Sequence, residues 1–522
     1  MRGVPRSGLW SEIPGHASGT GSERAKVASV ADAEASREPG ALGRQGDGNP
    51  EGVPGIESAE EEMTEFRMEK DSMGEVRVPA KAYYGAQTQR ASENFPVSGV
   101  RMPLPVVHAA AMIKGFGAEV NDRLKLLDPA LAAAISRAAR EVLEGKFDDQ
   151  FILDVFQTGS GTSTNMNVNE VLANRANEIL GKPLGGNSPV HPNDHVNRCQ
   201  SSNDVIPSAI RIAARREMSD RLVPALSSLR DALSAKAGEF SDILKIGRTH
   251  LQDAVPVTLG QEFSGYASQV DHGIRRVHAV FADLEELPLG GTAVGTGLNA
   301  HPEFGARAIA EIAAATGIPF RPAENRFEAM GAQDPLVAAS GALKGIAASL
   351  MKISHDLRLL SSGPRCGIGE INLPSLQPGS SIMPGKVNPV ILEMMIQVSA
   401  QVIGNDAAVT LGGSLGVLEL NVMLPVMARN LLESIGLLSK ATALLTDRCV
   451  AGITPNRKRC EELIEQSLAM VTPLAVKIGY QKAAELAHEA YHSGRTIRAV
   501  LREKKVLPDV EIEKILDPRT MI

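Results

Sequence analysis

The sequence feature that most constrains the fold is a set of long apolar stripes with helical spacing. One stripe, with steps of three and four residues, consists of Leu343, Ile346, Leu350, Ile353, Leu357 and Leu360. A second repeats the spacing at Leu222, Leu226, Leu229 and Leu233. Such spacing gives each helix one apolar face, and stripes sustained over several turns are typical of long helices in a bundle. Since alternating strand-like runs are scarce, we expect a mainly α-helical chain with minor β content.

Composition supports this expectation and excludes several classes of protein. A chain of 522 residues is too long for one ordinary core and predicts two or three domains. Aromatic residues make up only 3%, so aliphatic side chains must fill the core, which favours helix-on-helix packing. The net charge of −7 comes without a basic stripe, so we expect no nucleic-acid partner. We also expect no membrane span, because no apolar run looks long enough.

The cysteines and histidines do not predict a metal or another cofactor. Cys199, Cys366, Cys449 and Cys460 form no C-x-x-C pair, which favours free thiols in a reducing cytoplasm over an iron–sulfur cluster. His191 and His195 are four residues apart, the spacing of a possible metal pair. Pro192 makes a regular helix doubtful there, however, and no third ligand is evident. We therefore expect no metal, no cofactor and a cytoplasmic location.

Residues 1–62 differ in composition from the rest of the chain. They are rich in Gly, Pro, Ser, Ala and Glu and lack hydrophobic periodicity, so they cannot bury enough apolar surface to offset their ordering entropy. They have no uninterrupted apolar segment for secretion and are too acidic for a mitochondrial transit peptide. We expect either a disordered tail or an upstream extension from a misplaced start codon, with the folded part of the chain beginning near Met63.

Two segments rich in hydroxyl and amide groups precede helical patterns. The first, residues 158–171, contains Ser160 and Thr162, and the second, residues 191–209, contains Ser201, Ser202 and Asn203. Neutral donors at the start of a helix can hold an anion together with the free backbone N–H groups. The alternative is ordinary helix capping, for which one such residue is enough. The number of donors in each segment favours binding.

Two further segments carry groups that can titrate or carry charge. Thr249 and His250 lie between apolar stretches that read as helices, and imidazole suits acid–base chemistry near neutral pH. The fourth segment is a Gly- and Pro-containing loop followed by a helix, with Ser380, Ser381, Lys386, Asn388 and Glu393. No G-x-S-x-G elbow is present, so Ser380 need not be an acyl nucleophile. Together these groups suit a small dicarboxylate whose charge increases during the reaction.

The fourth segment also carries a family resemblance. Its sequence "GSSIMPGKVNP" resembles the signature of the fumarase/aspartase superfamily, and the other three segments resemble characteristic regions of that superfamily in the same order. The resemblance extends from about Met63 to the C-terminus. Within the superfamily, "GRTHLQDAVP", "GGTAVGTGLN" and "IGYQKAAELA" are similar to the iron-independent (class II) fumarases.

The resemblance implies a role for each matching residue. Ser380 would remove a proton from C3 of malate, and His250, paired with Glu393, would handle the water. The residues implied to bind the dicarboxylate are Ser160, Thr162, Ser201, Ser202, Asn203, Thr249, Ser381, Lys386 and Asn388. A second, non-catalytic dicarboxylate site is implied at His191, Pro192, Asn193 and Asp194. Several relatives have a basic residue just before that segment, whereas this chain has Asn187, Ser188 and Pro189.

The resemblance also implies the architecture and the reaction. It implies three mostly helical domains, which we place at 63–199, 200–457 (the central bundle of long helices) and 458–522. It implies a homotetramer whose active sites each draw loops from three chains, and the reversible hydration of fumarate to L-malate in the citric acid cycle, without iron. Two alternatives remain open: a related lyase, chiefly aspartase, and a non-catalytic protein that kept the fold.

Overall fold

The computed structural model of the chain describes residues 65–522. The expected disordered or misassigned segment at 1–62 lies outside the described residues. The described α-helices are α1 (Ala86–Asn94), α2 (Leu104–Arg123), α3 (Pro129–Leu143), α4 (Thr162–Ile179), α5 (Ser202–Glu217), α6 (Val223–Glu239), α7 (Leu259–Ala279), α8 (Phe281–Leu284), α9 (Phe304–Thr316), α10 (Arg326–Gly331), α11 (Asp334–Leu360), α12 (Val390–Ser414), α13 (Leu424–Arg448), α14 (Arg457–Gln466), α15 (Thr472–Ile478), α16 (Tyr480–Ser493), α17 (Ile497–Lys504) and α18 (Asp509–Ile515). Short 3₁₀ turns occupy Asp148–Gln150, Val450–Gly452, Leu468–Val471 and Pro518–Thr520, and π-helical turns occupy Pro192–Val196 and Met218–Leu222.

The apolar stripes form the core of a long-helix bundle, as the sequence predicts. Leu343, Ile346, Leu350, Ile353, Leu357 and Leu360 are all buried along α11. Leu226, Leu229 and Leu233 are buried along α6, and Leu222 is buried just before that helix. Helix α11 packs against α7 and α12, α12 packs against α13, and α6 packs against α7 and α13. The prediction of a mainly α-helical fold with a central bundle of long helices is confirmed.

Strands are short and occur in pairs across the described residues. They are β1 (Phe66–Asp71), β2 (Gly74–Pro79), β3 (Leu244–Thr249), β4 (Gln252–Thr258), β5 (Glu286–Leu287), β6 (Arg321–Pro322), β7 (Ile371–Asn372), β8 (Gly416–Val417), β9 (Leu420–Asn421) and β10 (Thr454–Pro455). The pairs are β1–β2, β3–β4, β5–β6, β7–β10 and β8–β9, of which only β5–β6 is parallel. Two of these pairs, β3–β4 and β7–β10, are important for the site.

The buried apolar residues form three clusters of different size. The largest extends from Met102 to Cys460 and includes the long helices. A second consists mainly of residues between Ile464 and Leu516, together with Ile246 of β3. The third is small and lies around β2 and the start of α1. The hairpin β3–β4 therefore packs on the C-terminal helices, although it lies in the middle of the chain. The three-domain division at 63–199, 200–457 and 458–522 stays a prediction.

Helix α11 corrects one expectation about apolar segments. Among residues 65–522 it is the one helix that is long and apolar enough to cross a membrane by length and composition alone. This differs from the expectation that no apolar run in the sequence is long enough. Half of its most apolar window is nevertheless buried inside the chain, where it packs on α7 and α12. Its apolar character is accounted for by its central position in the bundle.

Candidate active site

The hydroxyl groups of the first polar segment do not cap the helix that follows them. Helix α4 begins at Thr162 after Gly161, which has a φ of 73° and provides no side-chain cap. Ser160 is buried, and its hydroxyl oxygen lies 2.8 Å from that of Thr162. The capping explanation therefore fails for Ser160 and Thr162, whose hydroxyl groups bond to each other at the start of α4.

Gly159 brings the same segment against the backbone of Val422, just after β9. A Cβ atom at this position would lie 1.8 Å from the carbonyl oxygen of Val422, so no other residue fits without backbone movement. Leu424 N–H also donates to the carbonyl oxygen of Gly159 at 3.0 Å. These contacts fix the start of the hydroxyl-rich segment against the N-terminus of α13.

In the second polar segment, one hydroxyl residue caps the helix and the next does not. Ser201 caps α5: its hydroxyl oxygen accepts from Asn203 N–H at 3.3 Å, and Asp204 accepts from Ser201 N–H at 2.9 Å. Ser202 is the first helical residue and is buried. Asn203 donates its side-chain amide to the carbonyl oxygen of Ala293 at 2.8 Å. The capping explanation thus holds for Ser201 and leaves Ser202 without a capping role.

Asp204 joins the second segment to the glycine-rich loop at 290–297. Its second carboxylate oxygen accepts from Gly290 N–H at 2.9 Å and from Thr292 N–H at 3.0 Å. The side chain is fully buried, and burial raises the pKa of Asp204 to about 6 against the opposing effect of these hydrogen bonds. Sequence reasoning missed Asp204, although the spacing S-x-x-D after Ser201 is that of a capping box.

A buried lysine lies beneath these segments and was also missed. Lys114 of α2 donates to the side-chain oxygen of Asn197 at 2.7 Å, and the same oxygen accepts from Asn165 and Asn169 at 3.2 Å each. Burial lowers the pKa of Lys114 to about 7, while the charge of Asp204 opposes that change. This network ties α2, α4 and the segment before α5 into one support. Its signal in the sequence is a single Lys within an otherwise apolar stretch.

His250 lies in a two-residue β-turn. The sequence analysis placed Thr249 and His250 between helical stretches, but strands β3 and β4 flank them, and Thr249 pairs with Gln252. His250 and Leu251 have φ values of 56° and 59°, as a type I′ turn requires. Both residues are exposed, Leu251 to 70%. The hairpin therefore presents the imidazole at its tip, away from the core of its own chain.

The fourth segment is a loop held by its own hydrogen bonds. Gly379 N–H donates to the carbonyl oxygen of Lys386 at 2.7 Å, and the Asn388 side chain donates to the carbonyl oxygen of Gly379 at 2.6 Å. The Ser380 hydroxyl oxygen accepts from the N–H groups of Ile382 at 3.3 Å and Met383 at 3.0 Å. The Ser381 and Lys386 side chains are exposed, and Glu393 lies in the first turn of α12.

The polar segments form three separate groups within one chain. The first group joins 158–165, 201–204 and 290–293 through the contacts above. The second is the hairpin tip at 249–251, and the third is the loop at 379–389, whose hydrogen bonds are internal. Between residues 65 and 522, no hydrogen bond or ion pair links any of these groups to another, and none joins His250 to Glu393. The described chain therefore holds the predicted residues in three part-sites.

The segment predicted as a second dicarboxylate site forms a π-helical turn. Nδ1 of His191 accepts from the N–H groups of Asn193 and Asp194 at 3.2 Å, and His191 N–H donates to Nδ1 of His195 at 2.8 Å. One nitrogen of each imidazole is thus engaged by the backbone. Among the residues from 65 onward, no cluster of three or more potential metal-ligating side chains occurs.

The cleft beside this turn is lined by both acidic and basic side chains. It has a volume of about 360 Å³ and includes His191, Pro192 and Asn193 on one side. Its other lining residues include Glu69, Asp71, Glu170 and Lys70. Glu69 and Asp71 are paired with arginines, and burial raises the pKa of Glu170, so these carboxylates repel an anion less than their number suggests. The lining of the cleft is thus mixed in charge.

Comparison with known proteins assigns the family. A model described as "Lyase" matches residues 74–404, and one described as "Fumarase C C-terminus" matches residues 470–522. The chain is 53% identical over 463 residues to the fumarate hydratase class II of Methylorubrum extorquens, covering 89% of this chain and 98% of that protein. The chain belongs to the class II fumarase family. The resemblance found in its motifs is thereby confirmed.

Eukaryotic and structurally characterised class II fumarases agree with this assignment. The mitochondrial fumarate hydratase of Rattus norvegicus is 52% identical over 459 residues, covering 88% of this chain and 90% of that protein. The crystal structure of class II fumarase from Schistosoma mansoni has a TM-score of 0.85 at 41% identity and covers 87% of this chain and 98% of that one. The helical class II fumarase fold therefore spans nearly all the residues described above.

Proposed function

We infer that the protein is a fumarate hydratase that catalyses the reversible anti addition of water to fumarate, giving L-malate. The observation that carries this inference is the 53% identity that extends over 98% of the Methylorubrum extorquens enzyme. A match of this extent includes all four polar segments rather than a shared scaffold alone. The presence of Ser380, His250 and Lys386 argues against a protein that kept the fold and lost catalysis.

The dicarboxylate would bind to the neutral donors of all three part-sites. Ser160, Thr162, Ser202 and Asn203 lie at the N-termini of α4 and α5, where free backbone N–H groups add to the attraction for an anion. Thr249, Ser381, Lys386 and Asn388 would complete the binding from the hairpin tip and the Ser380 loop. Ser201 would act as both a ligand and the cap of α5.

In the direction from malate, Ser380 would take the proton from C3. The electron pair of the broken C–H bond would pass into the adjacent carboxylate, where Lys386 and Asn388 would stabilise the charge. Two backbone N–H groups already point at the Ser380 hydroxyl oxygen, from Ile382 and Met383. Donors in these positions stabilise negative charge on that oxygen and would favour the ionised form of Ser380, which can accept the C3 proton.

The C2 hydroxyl group would leave as water on the opposite face of the substrate. His250, paired with Glu393 through water, would deliver the proton that this step needs. In the hydration direction, the same pair would activate water and Ser380 would return its proton to C3. No metal ion or organic cofactor is required for this sequence of proton transfers, which is the chemistry expected of the iron-independent class.

We propose that the active enzyme is a homotetramer with sites shared between chains. One observation supporting this is the separation of the three part-sites within the described chain. Another is the presence of exposed apolar side chains, such as Leu359 on α11, Leu411 on α12 and Leu444 on α13. Burying these faces against other copies of the bundle would bring the part-sites of different chains together.

A cytoplasmic location and a role in the citric acid cycle are also proposals. The described cysteines are all free, which suits a reducing compartment. The rat relative is named as mitochondrial, so localisation of the full chain by fluorescence or fractionation is the direct test. The second dicarboxylate site at residues 191–194 stays a proposal, and the lining of its cleft is mixed in charge.

The activity is tested by following the loss of fumarate absorbance, with and without a metal chelator. We expect malate formation that the chelator does not reduce, since the proposed chemistry uses side chains alone. A parallel assay of ammonia release from aspartate separates this reaction from that of aspartase. Ammonia release without fumarate hydration would contradict the proposal, and loss of hydration on chelation would contradict the absence of a metal.

A further inference from the structure

A buried cluster of four charged side chains lies behind the hairpin that carries His250. Arg248 makes a two-armed contact with Glu370, with nitrogen–oxygen distances of 3.1 and 2.9 Å. Lys245 lies 3.2 Å from Glu370 and 2.6 Å from Glu262. Glu370 is 0% exposed and Lys245 is 1% exposed. The two cations and two carboxylates balance one another, as buried charges must.

The backbone of Glu370 is fixed at a junction of three segments. Its N–H group donates to the carbonyl oxygen of Leu360 at the end of α11, and its own carbonyl oxygen accepts from Asn456 N–H, both at 2.8 Å. The next residue, Ile371, begins β7, which pairs with β10. The Glu370 side chain is therefore attached to a fixed backbone between the bundle and the C-terminal helices.

The backbone at the hairpin tip is strained, so a fixed neighbouring residue is needed to hold it. His250 and Leu251 are consecutive non-glycine residues with positive φ, a conformation that persists only where the surroundings enforce it. The register of β3 shifts between Ile246 and Arg248, and a Cβ atom at Gly247 would lie 2.7 Å from the carbonyl oxygen of Val255. Bulges of this kind change the direction of a strand and of the side chains beyond it. Arg248 is the first residue after the bulge.

We propose that Glu370 is a positioning residue of the active site, which clamps Arg248 and thereby fixes where the turn presents His250. This role rests on the proposed hydration of fumarate, in which His250 acts on water. Arg248 is two residues from His250, and its two-armed contact restrains both the position and the orientation of the strand end. A displacement of the imidazole by about 1 Å would be enough to slow the reaction strongly.

Three variants distinguish a role of Glu370 in positioning His250 from a role in protein stability alone. Glu370→Gln removes the charge of the clamp, and Arg248→Lys keeps the charge but loses the two-armed geometry. Lys245→Met is the matched control, because it removes the other, more deeply buried, cationic partner of Glu370 without breaking the contact to Arg248. Each variant is assayed for kcat and KM with fumarate, for the pH profile of kcat, for thermal midpoint and for oligomeric state.

We expect kcat to fall at least about tenfold in both Glu370→Gln and Arg248→Lys, with KM changed less than about threefold and an altered pH profile. Lys245→Met should lower the thermal midpoint while kcat of the folded protein stays within about threefold. A folded Arg248→Lys enzyme with normal kcat and pH profile would overturn the proposal, as would an equal loss of kcat in Lys245→Met. Absence of hydration by the unmodified protein would instead contradict the proposed function itself.

Discussion

Replacing Lys114 with Met tests whether a buried charge supports the Ser201–Asn203 segment. Lys114 is fully buried on α2, and burial lowers its pKa from 10.5 to about 7. The side chain of Met has a similar length and no charge, so most of the packing is kept. The substitution therefore isolates the effect of the titrating amine on the free energy of unfolding.

The sign of the effect follows from the lowered pKa. Below pH 7 the amine is protonated in both states, and the folded state bears the full cost of the buried charge. Between pH 7 and 10.5 the folded protein has released a proton that the unfolded chain still holds, so stability rises with pH. The pKa of Lys114 falls from 10.5 to about 7 on folding, and each pH unit corresponds to about 1.4 kcal/mol. The free energy of unfolding can therefore rise by at most about 5 kcal/mol.

The assay is chemical unfolding of both proteins at several pH values from 7 to 10. We expect the stability of the unmodified protein, relative to Lys114→Met, to rise by about 2 to 4 kcal/mol across this range. The exposed Lys81, replaced by Met, is the control, and its difference from the unmodified protein should stay nearly constant. A flat difference for Lys114→Met would mean that the amine is not held in a desolvated state, and the reasoning would fail.

Three further substitutions test the proposed chemistry. Ser380→Ala should nearly abolish turnover with the oligomer intact, because the half-buried Ser380 side chain contributes little packing; turnover near the normal rate would remove Ser380 from the mechanism. His250→Asn should lower kcat strongly and remove one limb of the pH profile, and an unchanged profile would assign the proton transfer elsewhere. Lys386→Met should lower kcat at least about a hundredfold and weaken an inhibitor that mimics the carbanion more than a simple dicarboxylate, as comparison of the inhibition constants will show. Equal weakening of both inhibitors with kcat preserved would make Lys386 a substrate anchor only.

The helices of this fold could be predicted from the sequence, whereas the hairpin could not. The stripe from Leu343 to Leu360 repeats at helical spacing because one face of α11 is buried along its whole length. The turn at His250–Leu251 lacks the Asn and Gly residues that normally mark a two-residue hairpin turn. Its conformation depends on contacts with the C-terminal helices, which are about 200 residues away in the sequence and leave no local signal.

The polar segments of the site could likewise be predicted from the sequence, whereas the residues that support them could not. The polar segments can be recognised by their hydroxyl and amide groups, because an anion needs many neutral donors. The supporting residues carry no such mark: Arg248 and Glu370 are 122 positions apart, and each alone resembles an ordinary surface charge. The role of Asp204 in capping could have been predicted from its capping-box spacing. Its hydrogen bonds to Gly290 and Thr292 could not, because they depend on the tertiary fold.

Two of the three part-sites are supported by separate buried charge networks. Lys114 and Asp204 lie beneath the first, and Arg248 and Glu370 lie behind the hairpin tip. Burying charged groups costs stability unless they are well paired, and apolar residues of similar size would often serve stability equally well. A chain that uses separate networks can hold each of these part-sites in its shape independently of the other. That independence is what a shared site requires, because each part must be preorganised in its own chain before assembly brings it to the parts held by partner chains.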